Sequence, residues 1–232
     1  MGKYAYIAIC GTSRSGHNWT SKMFRAWMGN NGTSFYQFEN LRPSDWMQNG
    51  NPRVQVNRKH SDPGVKEMDR KGLVFIQLRD YLNFSASWMK YLIGRNQAYR
   101  ERKAQNVLDV WHELAMEAFD VTNHIPDKEI LFYDHFVKSR EYRQMICEKI
   151  GGNYNEEMID FVPNNGHYSS FDSNRYEGIG SKMHVTSRWE WFLTEEGKPF
   201  VQYLAAKPEI LLFYVKNFEP GEKKVQFING VL

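Results

Sequence analysis

Three short apolar runs, YAYIAI (Tyr4–Ile9), GLVFIQL (Gly72–Leu78) and EILFY (Glu129–Tyr133), are each followed by a stretch with helical spacing. The runs are continuous, not alternating. A strand that is apolar at every position needs both faces covered, which a half-solvated antiparallel sheet does not require. Their alternation with helices sets the class: an α/β chain, three layers deep (α/β/α), around a central, mostly parallel sheet. His17–Met28 places Trp19, Met23, Phe24 and Trp27 on one helical face. Further helices are expected from about Leu82 to Ile93, from about Ala104 to Asn123 and over Ser139–Gly152, the last ending on a Gly C-cap. RVQVN (Arg53–Asn57) alternates like another strand. No repeat or low-complexity linker divides the chain, so residues 1–232 read as one domain. Val162–His184 is a long irregular stretch, and such loops in compact domains are usually functional or mobile.

Bulk properties remove several function classes. No apolar stretch reaches the roughly 18 residues of a membrane span. The first residues lack a basic leader and a small-residue cleavage site, and Tyr6 stands where a myristoylation signal needs Ser or Thr. The net charge of +3 is scattered. RKAQ, with Arg100 beside it, reads as a solvated helix start, so no nucleic-acid partner is expected. Cys10 and Cys147 fall in a strand and a helix far apart in sequence, which argues against a disulfide framework. The sequons at Asn18, Asn31 and Asn83 read as chance matches. The expectation is a cytoplasmic protein. WHELAMEAFD carries Met116 where a metalloprotease helix needs its second His, and no other His, Cys or carboxylate grouping has ligand spacing, so no metal is expected. The Gly178–Gly180 pair lies between no strand and helix and is no dinucleotide fingerprint.

The informative turn is CGTSRSGHNW (Cys10–Trp19), between the first strand and the first helix. Such a turn aims main-chain N–H groups and a helix dipole at an anion. Gly11 and Gly16 have the G-x-x-x-x-G spacing of a nucleoside-triphosphatase loop. That loop continues with Lys, for the β/γ-phosphates, and Ser or Thr, for Mg²⁺. Here His17 and Asn18 follow, and the cation lies inside the loop, at Arg14.

GTSRSGHNW resembles the 5′-phosphosulfate loop, T-x-[KR]-S-G-T-T-W, of sulfotransferases that use 3′-phosphoadenosine 5′-phosphosulfate (PAPS). Arg14, Ser15, Gly16 and Trp19 match, while His17 and Asn18 replace Thr-Thr. FIQLRDYLNFSASWMKY resembles that family's 3′-phosphate segment, in which an Arg ends a strand and a Ser follows eight residues later. Arg79 and Ser87 have that spacing, Tyr81 replaces the family's Pro, and Ser85 is the rival to Ser87. RVQVNRKHSDPG resembles the K-T-H-x-P segment through Arg58, Lys59, His60 and Pro63. ILFYDHFVKSREY resembles the Y-E-D-L strand end through Tyr133 and Asp134, with a structural role. SKMHVTSRWEWFLTEE resembles the late loop through Trp189 and Thr194. Of that loop's R-K-G only Lys182 keeps a charge, with Arg188 as a substitute.

The resemblance implies a P-loop-type fold and in-line transfer of a sulfuryl group from PAPS to a hydroxyl or amine of a small-molecule or glycan acceptor. No metal is implied, and adenosine 3′,5′-bisphosphate (PAP) is the product. Thr12, Ser13, Arg14, Ser15, Gly16, His17, Asn18 and Trp19 would form the donor loop. Trp19 either stacks on adenine or packs in the core. Arg79, Ser87, Lys182 and Arg188 would hold the 3′-phosphate. Taken alone, Arg79 reads as a strand-end ion pair with Asp80 or another acid. His60 ranks first as the base that deprotonates the acceptor, and Glu39, the base type of other branches, ranks second. Arg14 and Arg58 would stabilise charge on the leaving oxygen. Residues 30–50 and 162–184 are the expected acceptor loops. Two other readings stand beside this one: a small-molecule kinase on the same scaffold, dependent on Mg-ATP, and a non-catalytic nucleotide-binding module.

Overall fold

Residues 6–11 are apolar on both sides because they run through the middle of the sheet. Strand β1 (Tyr6–Gly11) turns Ile7 and Ile9 to one face and Ala8 and Cys10 to the other, all buried. The computed structural model describes residues 4–29, 32–40, 42–46, 72–125, 127–159 and 185–232. Among them the sheet has four strands, β1, β2 (Ser34–Glu39), β3 (Gly72–Leu78) and β4 (Lys128–Phe132), in the order β2-β1-β3-β4, all parallel. Gly11 is level with Glu39 on one side and with Gln77 on the other.

Helices cover both faces. Helices α1 (His17–Met28) and α5 (Arg140–Ile150) close over Ile7, Ile9, Leu73 and Phe75. The other face buries Ala8, Cys10, Val74 and Ile76 under α2 (Tyr81–Leu92) and α3 (Gln97–Ala118). On that side they are joined by α6 (Val201–Ala205), α7 (Pro208–Phe218) and α8 (Glu222–Asn229). The short α4 (Tyr133–Lys138) follows β4 directly. The architecture is therefore the three-layer α/β/α arrangement expected. Cys10 and Cys147 are buried free thiols in the two opposite layers, so no disulfide joins them. Among the described residues no helix is long and apolar enough to cross a membrane.

Several boundaries differ from the sequence reading. Residues 34–39, expected among the acceptor loops, form the strand at one end of the described sheet. The long helix starts at Gln97, because Asn96 caps it by accepting from the Tyr99 N–H at 2.9 Å, and it ends at Ala118. Tyr133 opens α4 and does not end β4. The expected strand at 53–57 and the irregular stretch 162–184 lie outside the described residues.

Beyond its last turn, α3 is tied to β4 by Glu117, whose side chain is wholly buried. Its carboxylate accepts from the main-chain N–H groups of His124 and Ile125 and from the Thr122 hydroxyl, and it pairs with Lys128 at 3.1 Å. Burial pushes this carboxyl up, but the donors outweigh burial and hold it below its ordinary range. A depressed carboxyl stabilises the fold above its unfolded-state value, near 4.5. That contribution is lost as pH falls through the lower folded value. Glu117→Ala strips those donors of their acceptor. It is expected to lower the free energy of unfolding by about 3 kcal/mol, read as a lower urea midpoint at unchanged slope.

Candidate functional site at the carboxyl ends of β1 and β3

The strand order reverses between β1 and β3. The chain leaves β1 through α1 to reach β2 on one side, then returns to place β3 on the other. In open α/β sheets the crevice at such a reversal is where ligands bind. Two of the sequence candidates, the loop after β1 and Arg79 after β3, meet there.

Every main-chain carbonyl of the loop, residues 12–16, accepts a hydrogen bond. Thr12 O takes the Ser15 N–H at 3.0 Å, and Ser13 O takes the Trp88 indole N–H at 2.9 Å. Arg14 O takes Arg79 Nη1 at 3.0 Å, Ser15 O takes Gln77 Nε2 at 2.8 Å, and Gly16 O takes the Trp19 N–H at 3.0 Å. Gln77 of β3, Arg79 after it and Trp88 of α2 thus engage three of these carbonyls, and N–H groups of the loop and α1 engage the other two. The N–H groups of Arg14, Gly16, His17 and Asn18 make no hydrogen bond among the described residues. No side chain caps α1, so these donors stand at the positive end of a twelve-residue helix. Arg14 has φ 71° and Gly16 φ 91°. Only glycine fits at position 16, because a Cβ there would lie 2.1 Å from the Tyr133 ring.

Arg79 is 2% exposed. It donates to two main-chain carbonyls, Arg14 O and Val185 O, and its guanidinium lies 5.6 Å over the Tyr133 ring. It makes no ion pair with a described carboxylate, and its Nε has no hydrogen-bond partner among the described residues. The strand-end pair with Asp80 does not form, because Asp80 is otherwise engaged. Asp80 caps α2 through the Asn83 N–H at 3.0 Å, takes Lys224 Nζ at 2.6 Å and accepts from the Tyr214 hydroxyl. Asp134 accepts from the Asp80 N–H at 2.7 Å and from Asn83 Nδ2 at 3.0 Å. Burial and the neighbouring Asp80 push its carboxyl up.

Of the two serines, Ser85 is spent on the helix, its hydroxyl donating to Tyr81 O at 2.7 Å. Ser87 Oγ instead lies 3.3 Å from Arg188 Nη1. Arg188 is buried at the start of a 3₁₀ helix (Arg188–Leu193) that packs on α2, where the Trp189 N–H donates to Asn83 Oδ1 at 3.0 Å. Burial raises the Tyr133 hydroxyl, and the charges of Arg79 and Arg188 oppose that shift, so both cations stand near this one ring. The structure pairs Ser87 with Arg188 and sets Arg79 and Arg188 near the same Tyr133 ring. Lys182 lies outside the described residues, as do Arg58 and His60.

The rest of the loop divides by side chain. Trp19 packs edge-on against Tyr133 and Phe136, with ring centroids at 6.1 and 5.7 Å, which is the core-packing arrangement. Asn18 is exposed and accepts from Gln37 Nε2 at 2.7 Å. The Arg14 guanidinium lies 4.5 Å over the Tyr91 ring. Burial lowers its pKa, with Tyr91 and Glu39 favouring the charged form and Arg79 opposing it. Ser13 donates through its N–H to Asn40 Oδ1 at 2.9 Å and through its hydroxyl to Glu39. Glu39, at the carboxyl end of β2, is the acid beside the loop. The residues that hold the loop, Gln77, Trp88, Tyr91 and Asn40, carry no sequence signal, since each acts through a contact made only in the fold. No family model and no curated protein matches the sequence.

Proposed function

We propose that this protein is a sulfotransferase that moves a sulfuryl group from PAPS to a hydroxyl or amine of a small-molecule or glycan acceptor. The observation that carries the reading is the loop with its carbonyls engaged and, among the described residues, four N–H groups unmet, beside a buried arginine that no described carboxylate pairs. A buried cation is costly unless an anion meets it. Two anion positions side by side, the loop and the group formed by Arg79, Ser87 and Arg188, suit a ligand with a phosphate-type group at each end. PAPS carries a 5′-phosphosulfate and a 3′-phosphate.

In this reading the loop N–H groups hold the 5′ end, and Arg79 and Ser87 hold the 3′-phosphate with Arg188 beside them. Binding at both ends fixes the sulfur for in-line attack. Arg14 and the helix N-terminus stabilise charge on the leaving oxygen. Glu39, beside the loop, would take the acceptor's proton in this reading, and His60, ranked first from the sequence, is its rival outside the described residues. Two buried thiols in opposite layers accord with a cytoplasmic setting.

Thermal-shift titration tests the donor. Saturating PAP is expected to raise Tm by about 5 °C or more, as a ligand at roughly 100 times its Kd does for a chain of this size. Mg-ATP is expected to give a smaller shift. No response to PAP, or an equal response to Mg-ATP, sinks this reading, and the second outcome points to the kinase.

A further inference from the structure

The loop departs from both phosphate-loop patterns at His17, and the fold sets that residue directly behind Glu39. His17 is 2% exposed, whereas the Glu39 side chain is 37% exposed. Nδ1 of His17 lies 3.1 Å from Thr12 O and 3.2 Å from Ser15 Oγ. A carbonyl only accepts, so Nδ1 carries the ring hydrogen; the tautomer is assigned from that acceptor. In the neutral ring Nε2 then presents a lone pair. It lies 3.4 Å from Glu39 Oε2 and has no hydrogen-bond partner among the described residues. A lone pair and a carboxylate oxygen facing each other form a place for one proton. The carboxylate is held there from the other side: Ser13 Oγ donates to Oε1, and Asn40 Nδ2 donates to Ser13 Oγ at 2.8 Å.

We propose that His17 is the positioning residue and proton store of Glu39. The proposal rests on the sulfotransferase reading for its reaction. As the acceptor oxygen attacks sulfur, its O–H bond breaks and a Glu39 O–H bond forms. The S–O bond to the 5′-phosphate breaks, and PAP leaves with that electron pair. The proton then passes from Glu39 to Nε2, leaving imidazolium beside carboxylate. A lone carboxylate is a weak base at neutral pH, and the facing Nε2 lone pair gives the abstracted proton a second base to rest on. Among the described residues the charge facing Glu39 is Arg14 on the loop, which itself stands near Arg79, just after β3, and Tyr91 of α2.

Two measurements test this. Long-range ¹H–¹⁵N correlation on histidine-labelled protein, with His17 assigned through its main-chain signals, is expected to show the Nδ1–H tautomer at alkaline pH. The Nε2–H tautomer overturns the proposal and needs no variant to be seen. The second measurement is turnover of PAPS with a screened acceptor. His17→Asn, or His17→Gln should that variant fold poorly, is expected to lower kcat at least tenfold and move the acid limb of the pH–rate profile to lower pH. The PAP thermal shift stays. In a Glu39→Gln background the same change is expected to add no further loss, and additive losses overturn the proposal. The outcomes separate cleanly. A failed PAP shift removes the donor reading and leaves the tautomer result standing, whereas the wrong tautomer removes the relay alone.

Discussion

Arg79→Met is expected to abolish the PAP thermal shift and to weaken PAP binding by at least about 100-fold, near 2.7 kcal/mol. Two N–H bonds of Arg79 meet main-chain carbonyls, no described carboxylate pairs with it, and Nε stays without a described partner. A phosphate would meet Nε–H and one remaining Nη–H in a charge-assisted fork, the strongest hydrogen bonds available to a side chain. Met fills a similar volume without charge. The apo fold loses two carbonyl bonds but also a buried cation that no described carboxylate pairs, and these effects offset each other. The variant is therefore expected to keep its circular dichroism and to lose no more than a few degrees in Tm. Unchanged PAP affinity in a folded Arg79→Met protein places the 3′-phosphate elsewhere. Arg79→Lys separates charge from fork: a point charge is expected to restore only part of the affinity.

The same residue shows what the sequence could and could not tell. Arg79 and Ser87 were legible because a fixed spacing across a strand end and two helical turns survives in one dimension. What Arg79 touches was not, because Arg14 O and Val185 O are 65 and 106 residues away. Sheet class was legible from β1 and β3, whose continuous apolar runs are buried on both faces, whereas β4, read as a third buried strand, lies at the end of the described sheet with Leu131 as its buried residue. Strand β2 was not legible, since SFYQFE ends the described sheet with Phe38 as its buried residue, and its aromatic content reads as easily as a loop. The start of α3 was hidden by its polar first turns, which face solvent and rely on the Asn96 cap. His17 was legible only as a departure from a pattern. Its partners, Thr12 O, Ser15 and Glu39, come from a tight turn and a neighbouring strand.

Glu39→Gln is expected to lower kcat by about 10³-fold while leaving the PAP thermal shift intact. Glu39 owes its place to register: it is level with Gly11, so the end of β2 brings its carboxylate beside the loop that starts one residue later. Gln keeps the size of the side chain and an oxygen to accept from Ser13, so the loop geometry is expected to survive. It loses proton affinity, and only the step that needs a base slows. Loss confined to kcat, with KM for PAPS unchanged, is the pattern of a group that acts in the transition state and not in donor binding. His60→Ala provides the contrast. If His60→Ala removes turnover and Glu39→Gln spares it, the base is His60, and the His17–Glu39 pair is a structural clasp on the loop. If both fall with the PAP shift retained, the comparison of pH profiles decides. The variant whose remaining activity has lost its acid limb has lost the base, because that limb reports the protonation of the group that must accept the proton.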